Sequence, residues 1–216
     1  MKKALVFGAS GLVGSHLIKY LINNDDYSKI IVVNRRSLAY NSTKVQEIIS
    51  TPDEFQVHRT GMQADIVFCA LGTTIKKAGS ISAFRKIDFD YVVNAAKLAK
   101  TLGIESFVVV SSIGTKKSAN YYLQTKYEME QALILLNFKQ LAILRPSLLL
   151  GERSETRWME SFAAKIYPTF DVLLLGGMKK YRAIKAGTVA KAMIKIAENK
   201  ELNGIFQSDK VEELGQ

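Results

Sequence analysis

The stretch that decides the fold is KKALVFGASGLVG, residues 2–14. Residues 2–7 end in the apolar run Ala4-Leu5-Val6-Phe7, which reads as a short strand buried on both faces. Gly8 ends that run, and Gly8-Ala9-Ser10-Gly11-Leu12-Val13-Gly14 leads into residues 12–22, LVGSHLIKYLI. There Leu17 and Leu21, and likewise Ile18 and Ile22, stand four apart on one helix face. The glycines meet three needs: a tight turn, close approach of backbone to a pyrophosphate, and close contact between helix and strand. The first turn of the helix adds N–H groups and a partial positive charge that suit phosphate. The spacing is G-x-x-G-x-x-G, so its position between strand and helix carries the reading more than the pattern does.

Outward from this unit the same alternation repeats. Apolar runs at 29–33, 44–49, 65–71, 106–110 and 140–144 read as strands. Helical patterns lie at 81–102, continuous or broken near Asp88, and at 119–136. Buried strands alternating with helices predict a doubly wound parallel sheet, a Rossmann-type α/β fold. Residues 1–150 form the expected dinucleotide-binding core, and 151–216 a small C-terminal portion on the substrate side of the same single domain. In that portion we expect a helix at 155–166 carrying Trp158, a Gly176-Gly177 turn, an extended 181–184, a helix at 187–199 and a last strand at 204–207.

Composition narrows the class. At 48% hydrophobic and 23% charged over 216 residues, the chain can build an ordinary core and is not of the disordered kind. Its one cysteine, Cys69, cannot form an internal disulfide, which favours a reducing, cytoplasmic setting and a buried, inert thiol. No signal-peptide pattern or membrane span is read, so no membrane partner is expected. The net charge of +10 is scattered in doublets such as Lys76-Lys77 and Lys116-Lys117, without a basic tail. That excess favours anionic ligands in general, it reads foremost as a solvated basic surface, and no nucleic-acid-reading module accompanies it. His16 and His58 lack metal-ligand spacing, and no metal is expected. Glu128 and Glu130 read as a charged helix face, and Glu152, Arg153, Glu155 and Arg157 as a pocket border or a surface ion-pair cluster.

The end of the second strand bears on the cofactor. Where an NAD enzyme places a carboxylate for the ribose hydroxyls, this chain has Asn34-Arg35-Arg36. Paired guanidinium donors fit a 2′-phosphate, so NADP(H) is favoured over NAD(H). Ala70-Leu71-Gly72-Thr73, at the end of the fourth strand, are small enough to admit a dinucleotide at the sheet edge. The fifth strand runs into Ser111-Ser112, and Tyr122 and Lys126 follow four apart on a helix face. A nearby ammonium eases proton loss from a phenol, as a general base requires.

Glycine turn, Ser111-Ser112 and Tyr122-x-x-x-Lys126 in this order resemble the short-chain dehydrogenase/reductase superfamily over residues 2 to about 150. Leu71-Gly72-Thr73-Thr74, Lys77-Ala78-Gly79 and Arg145-Pro146-Ser147-Leu148-Leu149-Leu150-Gly151 are similar to the atypical, Tat-interacting-protein-like branch of reductases. The resemblance implies Tyr122 as acid/base, Lys126 as its activator and ribose ligand, and Ser112 (or Ser111) as carbonyl anchor. It implies cofactor contacts from Gly8, Ser10, Gly11, Leu12 and Val13, with Pro146 and Leu148 beside the nicotinamide. The chain departs from many members with Phe7 before the first glycine and Asp88 where an Asn is common. The expectation is an NADPH-dependent oxidoreductase acting on a small carbonyl or alcohol substrate; the alternative is a non-catalytic NADP(H)-binding regulator. A sugar-nucleotide epimerase is disfavoured by the short C-terminal portion, and a homodimer is left open.

Overall fold

The structure is a computed structural model, and it describes residues 1–55, 57, 59–151 and 181–216. Strands β1 (Lys2–Phe7), β2 (Tyr27–Asn34), β3 (Val45–Ile49), β4 (Ile66–Cys69), β5 (Ser106–Val110), β6 (Gln140–Arg145) and β9 (Gly204–Gln207) form one sheet. Its order is β3-β2-β1-β4-β5-β6-β9, and every pairing in it is parallel. Two short strands, β7 (Leu149–Leu150) and β8 (Ile184–Lys185), pair beside it.

Side chains alternate across the sheet. Ala4, Val6, Ile30, Val32, Phe68 and Leu144 face one layer, made by α1 (Leu12–Ile22) and α6 (Ala186–Glu198), with α7 (Ser208–Gly215) packed on α6. Leu5, Phe7, Ile31, Val67, Val109 and Ile143 face the other, made by α4 (Tyr91–Thr101) and α5 (Tyr121–Leu135). Two apolar faces per strand are what the unbroken apolar runs required. From β1 the chain winds outward to β2 and β3, then crosses back to β4 on the other flank. That reversal opens a crevice at the carboxyl ends of β1 and β4, the place where such sheets bind ligands.

The elements named from the sequence agree with this within a residue or two, but the short helix at Ile75–Ala78 and strand β7 were not anticipated, and three further points differ. The helical run after α2 (Ile75–Ala78) is not broken at Asp88; α3 (Ile81–Arg85) passes into α4 through one π-helical turn, Lys86–Asp90. Of the expected extended segment 181–184 only Ile184 pairs as a strand, together with Lys185 beyond it. Helix α7 was not anticipated: Val211 is fully buried, but the rest of the segment is mostly polar. The expected helix at 155–166 with Trp158, the Gly176-Gly177 turn and His58 lie outside the described residues, as do Glu152, Arg153, Glu155 and Arg157. Among the described residues no helix is long and apolar enough to cross a membrane.

One buried amide ties the C-terminal elements to the sheet. Gln140 Nε2 donates to the carbonyls of Ile196, Asn199 and Leu202, at 2.9, 2.9 and 3.2 Å. Its Oε1 accepts from Ser106 Oγ at 2.6 Å. The end of α6 thus has its unpaired carbonyls met by a side chain from the neighbouring strand. Gln140→Met keeps the volume but strands these groups, so we expect a loss of about 2 kcal/mol in unfolding free energy, read from the urea midpoint.

Candidate cofactor and active site

At the end of β1 the backbone turns with Gly8 at φ +83°, a conformation L side chains rarely adopt. A Cβ there would fall 2.5 Å from the carbonyl carbon of Ala70 and 2.7 Å from Leu71 N. The turn therefore lies directly against the end of β4. Helix α1 begins at Gly11 in extended conformation without a capping side chain, and α6 and α7 likewise begin without one, whereas α2, α3 and α5 are capped by Thr74, Ser80 and Asn120. Its first N–H groups remain turned toward the crevice as an anion cradle.

Next to this turn is a cavity of about 390 Å³ lined by Ser10, Asn34, Arg35, Arg36 and Leu38. Asn34 is buried, and its side-chain NH₂ has no hydrogen-bond partner among the described residues. Such a donor is costly to leave unmet. The nearby carboxylate, Glu47 on β3, accepts from Ser37 Oγ at 2.5 Å and Leu38 N–H at 3.0 Å. Glu47 thereby shapes the loop that forms the cavity wall. An amide donor, two guanidiniums and the turn's N–H groups suit a phosphorylated nucleotide.

On the other side of the crevice, helix α5 brings Tyr122, Lys126 and Glu130 to one face at steps of four. The Tyr122 ring stacks on buried Phe84, with centroids 5.3 Å apart and planes at 26°. Lys126 is buried, and its Nζ lies 2.7 Å from Asp88 Oδ1. The other Asp88 oxygen accepts the Thr73 N–H at 2.8 Å. Gly72 stands beside the pair: a Cβ on it would be 3.4 Å from Asp88 Oδ1 and 3.6 Å from Lys126 Nζ. Burial works against the Lys126 charge, but Asp88 and the Tyr122 phenol outweigh it and hold the ammonium above the ordinary lysine value.

Glu130 corrects the sequence reading. It is fully buried, not on a solvated face, and its carboxylate takes a two-pronged ion pair from Arg145. Its Oε1 also accepts from Ser111 Oγ at 2.5 Å. Ser111 is therefore engaged, while Ser112 is half-buried, and among the described residues its hydroxyl has a single 3.4 Å contact, to the Ile113 carbonyl. Pro146 is buried, and its carbonyl accepts the Ile113 N–H at 2.9 Å, which joins the loops leaving β5 and β6. Leu12 packs against Gly151, and Leu148 takes the Ile184 N–H on its carbonyl. Burial pushes the Cys69 thiol up to about 12, so it stays protonated. Sequence reasoning missed Glu130 and Arg145 as a pair. The four-residue spacing from Lys126 put Glu130 on the same helix face, but nothing in it pointed to Arg145.

A family model described as the NAD dependent epimerase/dehydratase family matches residues 4–207. The chain belongs to this family. It is 36% identical to rat Protein HTATIP2 over 201 residues, covering 89% of this chain and 80% of that protein. It is 35% identical to Protein FMP52, mitochondrial, of Candida albicans over 213 residues, covering 95% of this chain and 91% of that one. The expected resemblance to the Tat-interacting-protein-like branch is thus shown. The fold matches MoeE5 in complex with UDP-glucose and NAD, with a TM-score of 0.70 at 17% identity over 97% of this chain and 79% of that one. As a member of the family, the chain is an NAD(P)-binding protein with a Rossmann-like sheet.

The Asp88–Lys126 pair yields a stability prediction. Asp88→Asn leaves a buried ammonium uncompensated and should cost about 3–5 kcal/mol. Adding Lys126→Met to that variant should recover much of the loss, since the uncompensated charge is then gone. A raised folded-state value places the Lys126 contribution in full below the unfolded lysine value of about 10.4 and removes it as pH climbs through the folded value. Denaturant midpoints of wild type and Lys126→Met across pH 8–11 should therefore converge only above about pH 10.4.

Proposed function

We propose that the protein is an NADPH-dependent oxidoreductase of the short-chain type, acting in the cytosol on a small carbonyl or alcohol substrate. One observation carries the reading: α5 delivers the Tyr122–Lys126 face to the crevice, with Lys126 Nζ beside Gly72 at the end of β4. Gly8, Ser10, Gly11, Leu12 and Val13 would hold the pyrophosphate. Arg35 and Arg36 would pair with a 2′-phosphate, and the Asn34 amide would meet an oxygen of the adenosine end. Ala70, Leu71, Gly72 and Thr73 would line its path, with Pro146 and Leu148 flanking the nicotinamide. When bound, NADP(H) supplies or accepts the hydride.

The chain's own groups then handle the proton and the oxygen. Tyr122 gives its hydroxyl proton to the substrate oxygen during reduction, or takes one during oxidation. Ser112 donates a second hydrogen bond to that oxygen; it is the better anchor because Glu130 already holds Ser111. Lys126 stays protonated against Asp88 and presents its remaining donors toward the ribose. A non-catalytic NADP(H)-binding regulator is the second reading, and the Asp88 carboxylate favours it. At 2.7 Å, that carboxylate offsets the positive charge the phenol would otherwise feel.

Calorimetric titration should show NADPH binding more tightly than NADH, and Arg35→Ala should weaken NADPH about tenfold or more while leaving NADH within about twofold. Equal losses would remove the phosphate argument. In a screen of small aldehydes and ketones, Tyr122→Phe should lower turnover at least ~10²-fold with NADPH affinity unchanged. Undiminished turnover would sink the catalytic role of Tyr122, and absence of turnover in the wild type would favour the regulator.

A further inference from the structure

We propose that the substrate carries an oxyanion group, a carboxylate or a phosphate, and that Lys116 and Lys117 receive it at the mouth of the site. The inference rests on the carbonyl-reductase reading above and narrows its substrate class. Its ground is the way charge is sorted across the sheet. The five inner strands are β2, β1, β4, β5 and β6. The segments leaving their carboxyl ends are 8–11, 35–43, 70–80, 111–120 and 146–151. Among the described residues they contain no Asp or Glu and carry Arg35, Arg36, Lys76, Lys77, Lys116 and Lys117; the chain continues from Gly151 into Glu152 and Arg153, outside the described residues. At the opposite edge the signs are mixed: the turns entering β2, β4 and β5 carry Asp25, Asp26, Asp65 and Glu105, while Lys2, Lys3 and Lys139 stand where β1 and β6 begin.

The carboxylates near the basic edge are engaged: Glu47 accepts from Ser37 Oγ and the Leu38 N–H beside Arg35 and Arg36, and four others hold cations. Asp88 holds Lys126, Glu130 holds Arg145, Glu128 pairs with Arg85, and Asp53 after the outer strand β3 pairs with Lys86. A cleft rimmed by one sign of charge concentrates ligands of the other. The cofactor's phosphates account for only part of that rim. Neighbouring strands lie about 4.8 Å apart, so β5 is about 14 Å from β2 and about 10 Å from β1. A phosphate seated at Arg35 and Arg36 is therefore out of reach of the segment after β5.

That segment is also fixed in place. Thr115 Oγ1 donates to the Ser112 carbonyl at 2.7 Å, and Gly114 turns the chain at φ +77°. Gln124 Oε1 accepts the Ser118 N–H at 3.0 Å, and Asn120 caps α5. The two exposed lysines thus stand at the tip of a loop tied at both ends, between Ser112 and Tyr122 in the chain. An anionic group bound there would leave the attached carbonyl turned inward to those two hydroxyls.

The test uses the full chain loaded with NADP⁺, so that no aldehyde is reduced during the titration. Binding of NADP⁺ is measured first; its failure overturns the reading on which the inference rests and is seen before any aldehyde is added. The loaded protein is then titrated with 4-formylbenzoate against its methyl ester, and with glyceraldehyde 3-phosphate against glyceraldehyde. We expect at least one anion to bind tenfold or more tightly than its neutral counterpart, and the two arms separate carboxylate from phosphate. Lys116→Ala/Lys117→Ala should abolish the preference while NADP⁺ affinity stays within twofold. No preference in the wild type, with NADP⁺ bound, overturns the inference and leaves the lysines as solvated surface. A preference that survives the double substitution overturns it as well.

Discussion

The backbone of Gly8 lies against the backbone of Ala70 and Leu71, closer than any side chain would allow. This contact joins the ends of the two strands between which the sheet reverses its winding. Because β1 ends there, α1 starts with its N–H groups facing the crevice; because β4 ends there, Gly72 and Thr73 reach the Asp88–Lys126 pair. Gly14 extends the constraint, since a Cβ on it would fall 2.1 Å from the Gly8 carbonyl oxygen. The binding turn and the reactive helix face are thus connected through a few atoms of main chain.

The interior also holds two charge pairs of different purpose. Glu130–Arg145 joins α5 to the end of β6 and, through Ser111, to the end of β5. It has the geometry of a strut, with carboxylate oxygens met from two strands. Asp88–Lys126 joins α5 to the loop after β4, and it lies where the cofactor is proposed to bind. Both pairs take charges out of water, where the cost is recovered only through close contact and further hydrogen bonds. Those further bonds come from Ser111 in one case and from the Thr73 N–H in the other.

Much of the fold was legible because the strands are buried on both faces and read as unbroken apolar runs. Helix α1 was read with the bounds it has, since its apolar spacing starts directly after the glycine turn. The π turn was not readable: the residues from Lys86 to Asp90 alternate apolar and charged side chains, a pattern with no helical signature of its own. Helix α7 has a fully buried Val211 and little else to set its period. In the site, Tyr122 and Lys126 were read from their spacing. Glu130 looked solvated because its partners, Ser111 and Arg145, are 19 and 15 residues away, and no local pattern announces a contact across the fold.

The π turn has a geometric consequence. Phe84, Asp88, Val92 and Ala96 are all buried, although they are spaced by fours along one helical run. In an unbroken α-helix three such steps drift by about 120° around the axis, enough to carry the last residue off the face that held the first. A wider turn in the middle absorbs part of that drift and keeps the four in one seam. The ring under Tyr122, the counter-ion of Lys126 and two core residues are therefore phased together like teeth on one gear. A single residue added or lost between Phe84 and Val92 would turn one half of the seam away from the other, so this is a helix whose length evolution cannot adjust in steps of one.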